Sequence, residues 1–127
     1  MSEPNPKKRF GAQKPDISLV PPASILHEAM ALEAGARKYG AYNFRHDPVE
    51  AMTYVAAAMR HLMNWLDGEE YCDDDPTVHN LGAAKAGLGI LLDSLENNLL
   101  IDNRPPKGAS SQVQERMKAA KVARESK

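Results

Sequence analysis

Asp47-Pro-Val-Glu-Ala-Met-Thr-Tyr-Val-Ala-Ala-Ala-Met-Arg-His-Leu-Met-Asn-Trp-Leu66 is the stretch that decides the fold. It opens with the strongest helix-start signal in the chain: a carboxylate at the cap, proline at the first helical position and a glutamate three residues after the cap. Met52, Val55, Met59, Leu62, Met63 and Leu66 then recur at three- and four-residue intervals. That spacing predicts an amphipathic helix from Pro48 to Leu66, with Arg60, His61 and Asn64 on or beside the border of its apolar stripe.

Working outward, the run that follows breaks the periodicity and concentrates carboxylates at a turn, Glu69, Glu70, Asp73, Asp74 and Asp75. Asp75-Pro76 or Thr77 is read as the start of another helix, carried by Leu81, Ala84, Leu88, Leu91, Leu92, Leu95 and Leu99. Gly82, Gly87 and Gly89 lie inside it, and each costs roughly 1 kcal/mol against alanine, so a closely packed helix neighbour is expected, from a second subunit as one source. On the amino-terminal side, Pro21-Pro22 leads into a helix expected over Ala23 to Ala34 with Gly35 as its stop. A loop bearing Lys38, Tyr39, Asn43 and Arg45 is expected from Gly35 to His46. Residues 1–16 read as a flexible basic arm, residues 17–108 as a helical domain and residues 109–127 as a charged tail, helical in part.

Composition fits this reading. The 127 residues suit one domain, and 43% are hydrophobic but only 6% aromatic, an alanine- and methionine-rich mixture that favours helices. The expected class is therefore all-α, a bundle of three to four main helices completed by oligomerisation. With 16 basic against 17 acidic residues the net charge is -1, which argues against polymeric nucleic acid as a partner. No run approaches the roughly 18 apolar residues of a membrane span, and the start of the chain lacks an apolar signal core. The lone Cys72 fits a reducing compartment. These features together give the cytoplasm as the expected location, a host's cytoplasm if the chain is phage-encoded.

Helical rise limits which polar residues can cooperate. At about 1.5 Å per residue, His61 and Glu69 lie roughly 12 Å apart along one helix, and His79 and Asp93 roughly 21 Å apart. If the two central helices form an antiparallel hairpin, two clusters become possible. One, at the turn, holds Glu69, Glu70, Asp73 and His79; the other brings Arg60, His61 and Asn64 toward Asp93. Oxygen ligands at the turn make it the better place for a hard divalent ion.

The order of motifs also carries a resemblance. Pro15-Asp-Ile-Ser-Leu-Val-Pro-Pro22, Gly35-Ala-Arg-Lys-Tyr-Gly-Ala-Tyr-Asn-Phe-Arg45, Arg60-His-Leu-Met-Asn-Trp-Leu-Asp-Gly-Glu69, Ile90-Leu-Leu-Asp93 and Leu100-Ile-Asp-Asn-Arg-Pro105 resemble the phage and bacterial dATP/dGTP diphosphohydrolase N-terminal family, over about residues 15–108. That family is similar in concept to the all-helical MazG-type nucleotide pyrophosphohydrolases. The resemblance implies Mg- or Mn-dependent hydrolysis of a purine deoxynucleoside triphosphate to the monophosphate and pyrophosphate.

It also implies roles for residues. In the MazG group the metal is held by Glu-Glu-x-x-Glu and a later Glu-x-x-Asp, and this chain offers Glu69-Glu70-x-x-Asp73 and Asp93-x-x-Glu96. Glu69, Asp73 and Asp93 would then hold metal, with Glu70 as general base and His61 orienting a ligand or donating to phosphate. Lys38, Arg45 and Arg60 would offset charge on the leaving group; Asn43 or Asn64 would read a base edge, and Tyr39 or Trp65 would stack on the purine.

Other readings stand beside this one. An HD-type phosphohydrolase would use His27, His46-Asp47 and Asp93. A non-catalytic nucleotide- or partner-binding domain is suggested by Asn80 and Ala83, which stand where the family usually carries histidine. In structural terms the acidic turn would be a solvated loop, Lys38 and Arg45 helix-end cations, and Trp65 and Tyr54 core residues.

Overall fold

A computed structural model describes residues 5–126, so the first four residues of the expected arm and Lys127 lie outside it. The chain is all-α, with helices α1 (Pro6–Gly11), α2 (Pro22–Tyr39), α3 (Asn43–His46), α4 (Ala51–Leu66), α5 (Asn80–Glu96) and α6 (Ser110–Glu125). A 3-10 turn spans Ile17–Leu19, and two short strands, β1 (Val49–Glu50) and β2 (Leu100–Ile101), pair in parallel with Val49 opposite Leu100. Neither α1 nor α6 contains a buried residue. The segment read as a partly helical tail is helical over nearly its whole length, as its alanine, glutamate, lysine and glutamine content favours.

Helices α4 and α5 form the antiparallel hairpin. His61 meets Asn80 at one end, Tyr54 lies beside Gly87 midway, and Val49 pairs with Leu100 at the other end. Helix α5 is central, because it also packs against α2. A Cβ built on Gly82 would fall 2.6 Å from the carbonyl oxygen of His27, so only glycine lets α2 and α5 cross this closely. The close neighbours expected from the glycines are thus helices of the same chain, α2 at Gly82 and Gly89 and α4 at Gly87. Lys85 ties the crossing by donating to Ser24 Oγ and pairing with Glu28 at 3.4 Å.

Helix boundaries differ from the sequence expectation in three places. Helix α2 runs through Gly35 and stops at Gly40, whose φ of 93° takes the left-handed conformation that glycine tolerates. Lys38 and Tyr39 therefore sit on its last turn rather than in a loop. Helix α4 begins at Ala51 because Val49 is drawn into the strand pair and buried. Asp47 is extended and closes α3 as its C-terminal cap instead of opening α4; the Met52 N–H is accepted by Asn103 Oδ1 at 2.9 Å, a partner 51 residues away. Helix α5 begins at Asn80 with His79 as its cap, since Asp75 is used in a turn with Thr77.

The interior is built from small side chains. Buried apolar residues are Ala34, Val49, Ala51, Ala58, Cys72, Val78, Ala84 and Ala86, none larger than valine. The seam that α4 presents to α5, Ala51, Tyr54, Ala58 and His61, repeats at three- and four-residue spacing but lies about 100° around the helix from the stripe read from sequence. Met59, Leu62, Met63 and Leu66 of that stripe are exposed.

Candidate functional site

The two charged groups read from sequence as a cationic loop and an acidic turn meet in space. Lys38 donates to Asp74 at 2.9 Å and Arg37 lies 3.5 Å from Asp75, so the last turn of α2 docks on the turn between α4 and α5. Basic residues suit this helix end, where the backbone dipole is negative. The hydrogen bond and charge of Asp74 raise the Lys38 pKa, and Lys38 in turn holds the Asp74 carboxyl below the usual range. Asp75 is lowered as well, first by hydrogen bonds from Thr77. The carboxylates that pair with cations here are Asp74 and Asp75, not Glu69 and Asp73.

Beneath this turn lies a polar knot centred on Asn80, which is 1% exposed. Its Nδ2 donates to the carbonyls of Glu69 at 2.9 Å and Tyr71 at 3.3 Å. Those two bonds fix the amide orientation, so Oδ1 accepts from His61 Nδ1 at 2.9 Å and from the Cys72 thiol at 3.4 Å. His61 therefore carries its proton on Nδ1 and keeps Nε2 free. Burial pushes the Cys72 thiol pKa up, with Asp74 and Asp75 adding to it, which makes Cys72 a poor nucleophile.

Glu70 and Trp65 are also brought together. Glu70 Oε2 accepts from the Trp65 indole at 3.2 Å and from His79 Nε2 at 2.8 Å. His79 Nδ1 accepts the Leu81 N–H at 3.0 Å, which places the ring proton on Nε2 and lets one imidazole cap α5 and hold Glu70. The Glu70 side chain as a whole remains exposed. Trp65 is thereby a positioning donor for Glu70.

Asp93 stands elsewhere. It follows Asn80 by 13 residues, about 20 Å along α5, and receives a two-pronged contact from Arg45 at 2.6 and 2.7 Å. The hydrogen bonds from Arg45 depress the Asp93 pKa and raise that of Arg45. A carboxylate lowered on folding contributes stability above its unfolded value, about pH 3.9, and loses it as pH falls through the depressed folded value. Arg45→Gln is expected to raise the Asp93 titration toward the ordinary carboxylate range, read by carboxyl carbon NMR; an unmoved titration would contradict the pairing.

Glu69, Asp73 and Asp93 consequently do not converge, and Arg60 and Asn64 do not approach Asp93. Among the described residues no group of three His, Cys, Asp or Glu side chains is placed to hold a metal ion. The set His27, His46, Asp47 and Asp93 does not converge either: His27 lies 5.3 Å from the His79 ring, at the opposite end of α5 from Asp93.

Three recesses adjoin at Tyr39, which lines all of them. The first, about 150 Å³, is walled by Lys38, His61, Cys72, Asp74 and Asp75. The second, about 160 Å³, is apolar and aromatic, with Tyr42, Phe44, Tyr54 and Ile90 among its walls. The third, about 510 Å³, is an open groove formed by Tyr39, Asn43, Thr53, Tyr54, Ala57 and Arg60. Tyr42 reaches its place through a left-handed backbone at φ 60°. Arg60, unlike Lys38 and Arg45, forms no ion pair or hydrogen bond among the described residues.

Tyr39, Asn43 and Arg60 of the sequence-read binding set thus line one groove, with Lys38 next to it. Arg45, Asn64 and Trp65 lie outside it. Thr53, Tyr54, Ala57, Tyr42 and Phe44 were not read as binding residues. Residues 53, 57 and 60 share one face of α4, so helical spacing from Arg60 is the signal that points to them.

Residues 4–104 match the family model described as dATP/dGTP diphosphohydrolase, N-terminal, and the chain belongs to that family. No curated protein and no solved structure matches it.

Proposed function

We propose that this member of the dATP/dGTP diphosphohydrolase N-terminal family binds purine deoxynucleoside triphosphates in the groove at Tyr39 and hydrolyses them to the monophosphate and pyrophosphate. The observation that carries the reading is the unpaired Arg60 in a groove that continues into an aromatic recess. A nucleotide needs both chemistries side by side, a flat apolar slot for the base and a cation for the phosphates. In this reading Tyr42, Phe44 and Tyr54 enclose the purine, Asn43 meets its polar edge and Arg60 takes a phosphate oxygen. Lys38 and His61 border the adjacent recess, where His61 Nε2 is the free ring nitrogen. Glu70, oriented through one oxygen by Trp65 and His79, retains a second oxygen to accept a proton from water.

The Mg or Mn that the family resemblance implies does not fit a preformed cage in this chain, given where Glu69, Asp73 and Asp93 lie. Magnesium is commonly held by one or two carboxylates together with substrate phosphates, and that is the form in which it suits these residues, arriving as the metal–nucleotide complex. When bound, such an ion neutralises phosphate charge. The separation of the three carboxylates also favours a second reading, in which the domain binds nucleotides without hydrolysis. In both readings the setting is the cytoplasm, where nucleotide pools lie.

Incubation with each dNTP and NTP plus Mg or Mn, with products resolved by chromatography, tests the proposal. Pyrophosphate with dGMP or dAMP is the expected result. Stepwise release of phosphate would overturn it, and tight nucleotide binding without turnover would establish the binding reading instead.

A further inference from the structure

The near-zero net charge hides a division along the chain. Residues 1–14 and 107–127 hold ten of the 16 basic residues and three of the 17 acidic ones, a net +7, whereas residues 15–106 hold the other six and 14, a net -8. The overall -1 is thus an average of an acidic body and two basic ends, and it describes neither.

The cations of the two parts are also used differently. In the body Arg37, Lys38, Arg45, Lys85 and Arg104 each pair with a carboxylate. In α6, Arg116, Lys118, Lys121 and Arg124 are exposed and form no ion pair among the described residues. No residue of this helix is buried, so it offers these charges to solvent. At about 100° per residue, Arg116, Lys121 and Arg124 fall within roughly 140° of arc with Lys118 at its edge, and Glu115 lies on the far side. The row from Arg116 to Arg124 runs about 12 Å along the axis, a length over which duplex DNA presents roughly seven phosphates. At the other end of the chain α1 repeats this chemistry on a smaller scale. Lys7 and Lys8 are exposed there, and the Arg9 guanidinium lies 4.5 Å over the half-exposed ring of Phe10.

We propose that the cationic face of α6 binds the phosphate backbone of nucleic acid, with α1 as a second foothold. A single nucleotide is too short to engage the whole row, whereas a polymer engages all of it. A lipid surface fits less well, because an anchoring helix needs a face of large apolar residues free of charge. Val113 and Met117 share their side of α6 with Arg124, and the opposite side carries Glu115. Contacts to phosphate carry no sequence information, so the binding is indifferent to sequence. It is also independent of what the groove at Tyr39 holds, since that groove lies in the acidic body.

Titration of the whole chain into a fluorescein-labelled DNA duplex of about 20 base pairs, followed by anisotropy, tests this. A micromolar Kd is expected in about 50 mM NaCl, weakening about 100-fold by about 200 mM, the slope for four phosphate contacts. Two duplexes of unrelated sequence should bind within about threefold of each other. The combined substitution Arg116→Gln, Lys118→Gln, Lys121→Gln and Arg124→Gln is expected to weaken binding at least about tenfold, and because α6 buries no residue the variant keeps the fold. Unchanged binding by that variant, or no binding by the parent at about 100 μM in low salt, would overturn the proposal. Saturating dGTP at matched ionic strength should leave the duplex bound; displacement would place DNA in the groove and overturn it as well. Binding to vesicles of phosphatidylserine and phosphatidylcholine without binding to the duplex would overturn it in favour of a membrane.

Discussion

Asn80→Ala is expected to lower stability by about 3 kcal/mol, from the loss of a buried amide that serves four partners. The substitution leaves the carbonyls of Glu69 and Tyr71, the His61 Nδ1–H and the Cys72 thiol without their shared partner. Each buried group left unsatisfied costs about 1–3 kcal/mol, and water entering the vacated space recovers part of that sum. For a chain of this size the thermal midpoint should fall by roughly 10 °C, read by circular dichroism at fixed protein concentration. The damage is not confined to stability. The amide joins α4, the acidic turn and the start of α5, so its loss also frees the His61 ring and the backbone that presents Glu70. A change below about 1 kcal/mol would mean that the knot is open to water in solution. Asn80→Asp separates the contributions: it keeps the volume and the acceptor for His61 but turns an oxygen toward two carbonyls, so it is expected to destabilise as well.

The way Asn80 escapes a reading of sequence shows where such a reading stops. Periodicity found α4 and α5, and the turn between them implied the hairpin, because both signals are local. Which face of α4 turns inward is not local. Hydrophobicity alone nominates Met59, Leu62, Met63 and Leu66, yet α5 brings glycine and alanine to the seam and leaves no depth for large side chains. Ala51 and Ala58 fit there instead, and His61 reaches Asn80 at the end of the seam. Caps failed for a related reason: the sequence offers Asp47 in register, but β1 pairs with β2 and carries Asn103 to the helix start. Gly35 and Gly40 are equally good stops by composition; the helix continues to the second, and the added turn docks Lys38 on Asp74. In the site, the carboxylate within Ile90-Leu-Leu-Asp93 is held by Arg45, a residue the family resemblance assigned to phosphate. The acidic turn was legible as a cluster; which of its members pair with cations was not.

Arg60→Ala is expected to weaken binding of a deoxynucleoside triphosphate by about 10- to 100-fold, the value of one charge-assisted hydrogen bond of about 1.5–3 kcal/mol. The same variant should leave thermal stability within about 0.5 kcal/mol of the parent, because Arg60 is exposed and binds nothing else in the described chain. That contrast separates a binding role from a structural one. Arg60→Lys is expected to fall between parent and alanine, since it keeps the charge but not the planar fork that engages two oxygens of one phosphate. Nucleoside without phosphate provides the internal control. If Arg60 meets phosphate while Tyr42, Phe44 and Tyr54 hold the base, nucleoside affinity should be unchanged in both variants, and the loss should appear only as phosphates are added. Calorimetric titration with deoxyguanosine, dGMP and dGTP reads the series. Equal losses for all three would move Arg60 to the base, and no loss for dGTP would remove the groove at Tyr39 from the function.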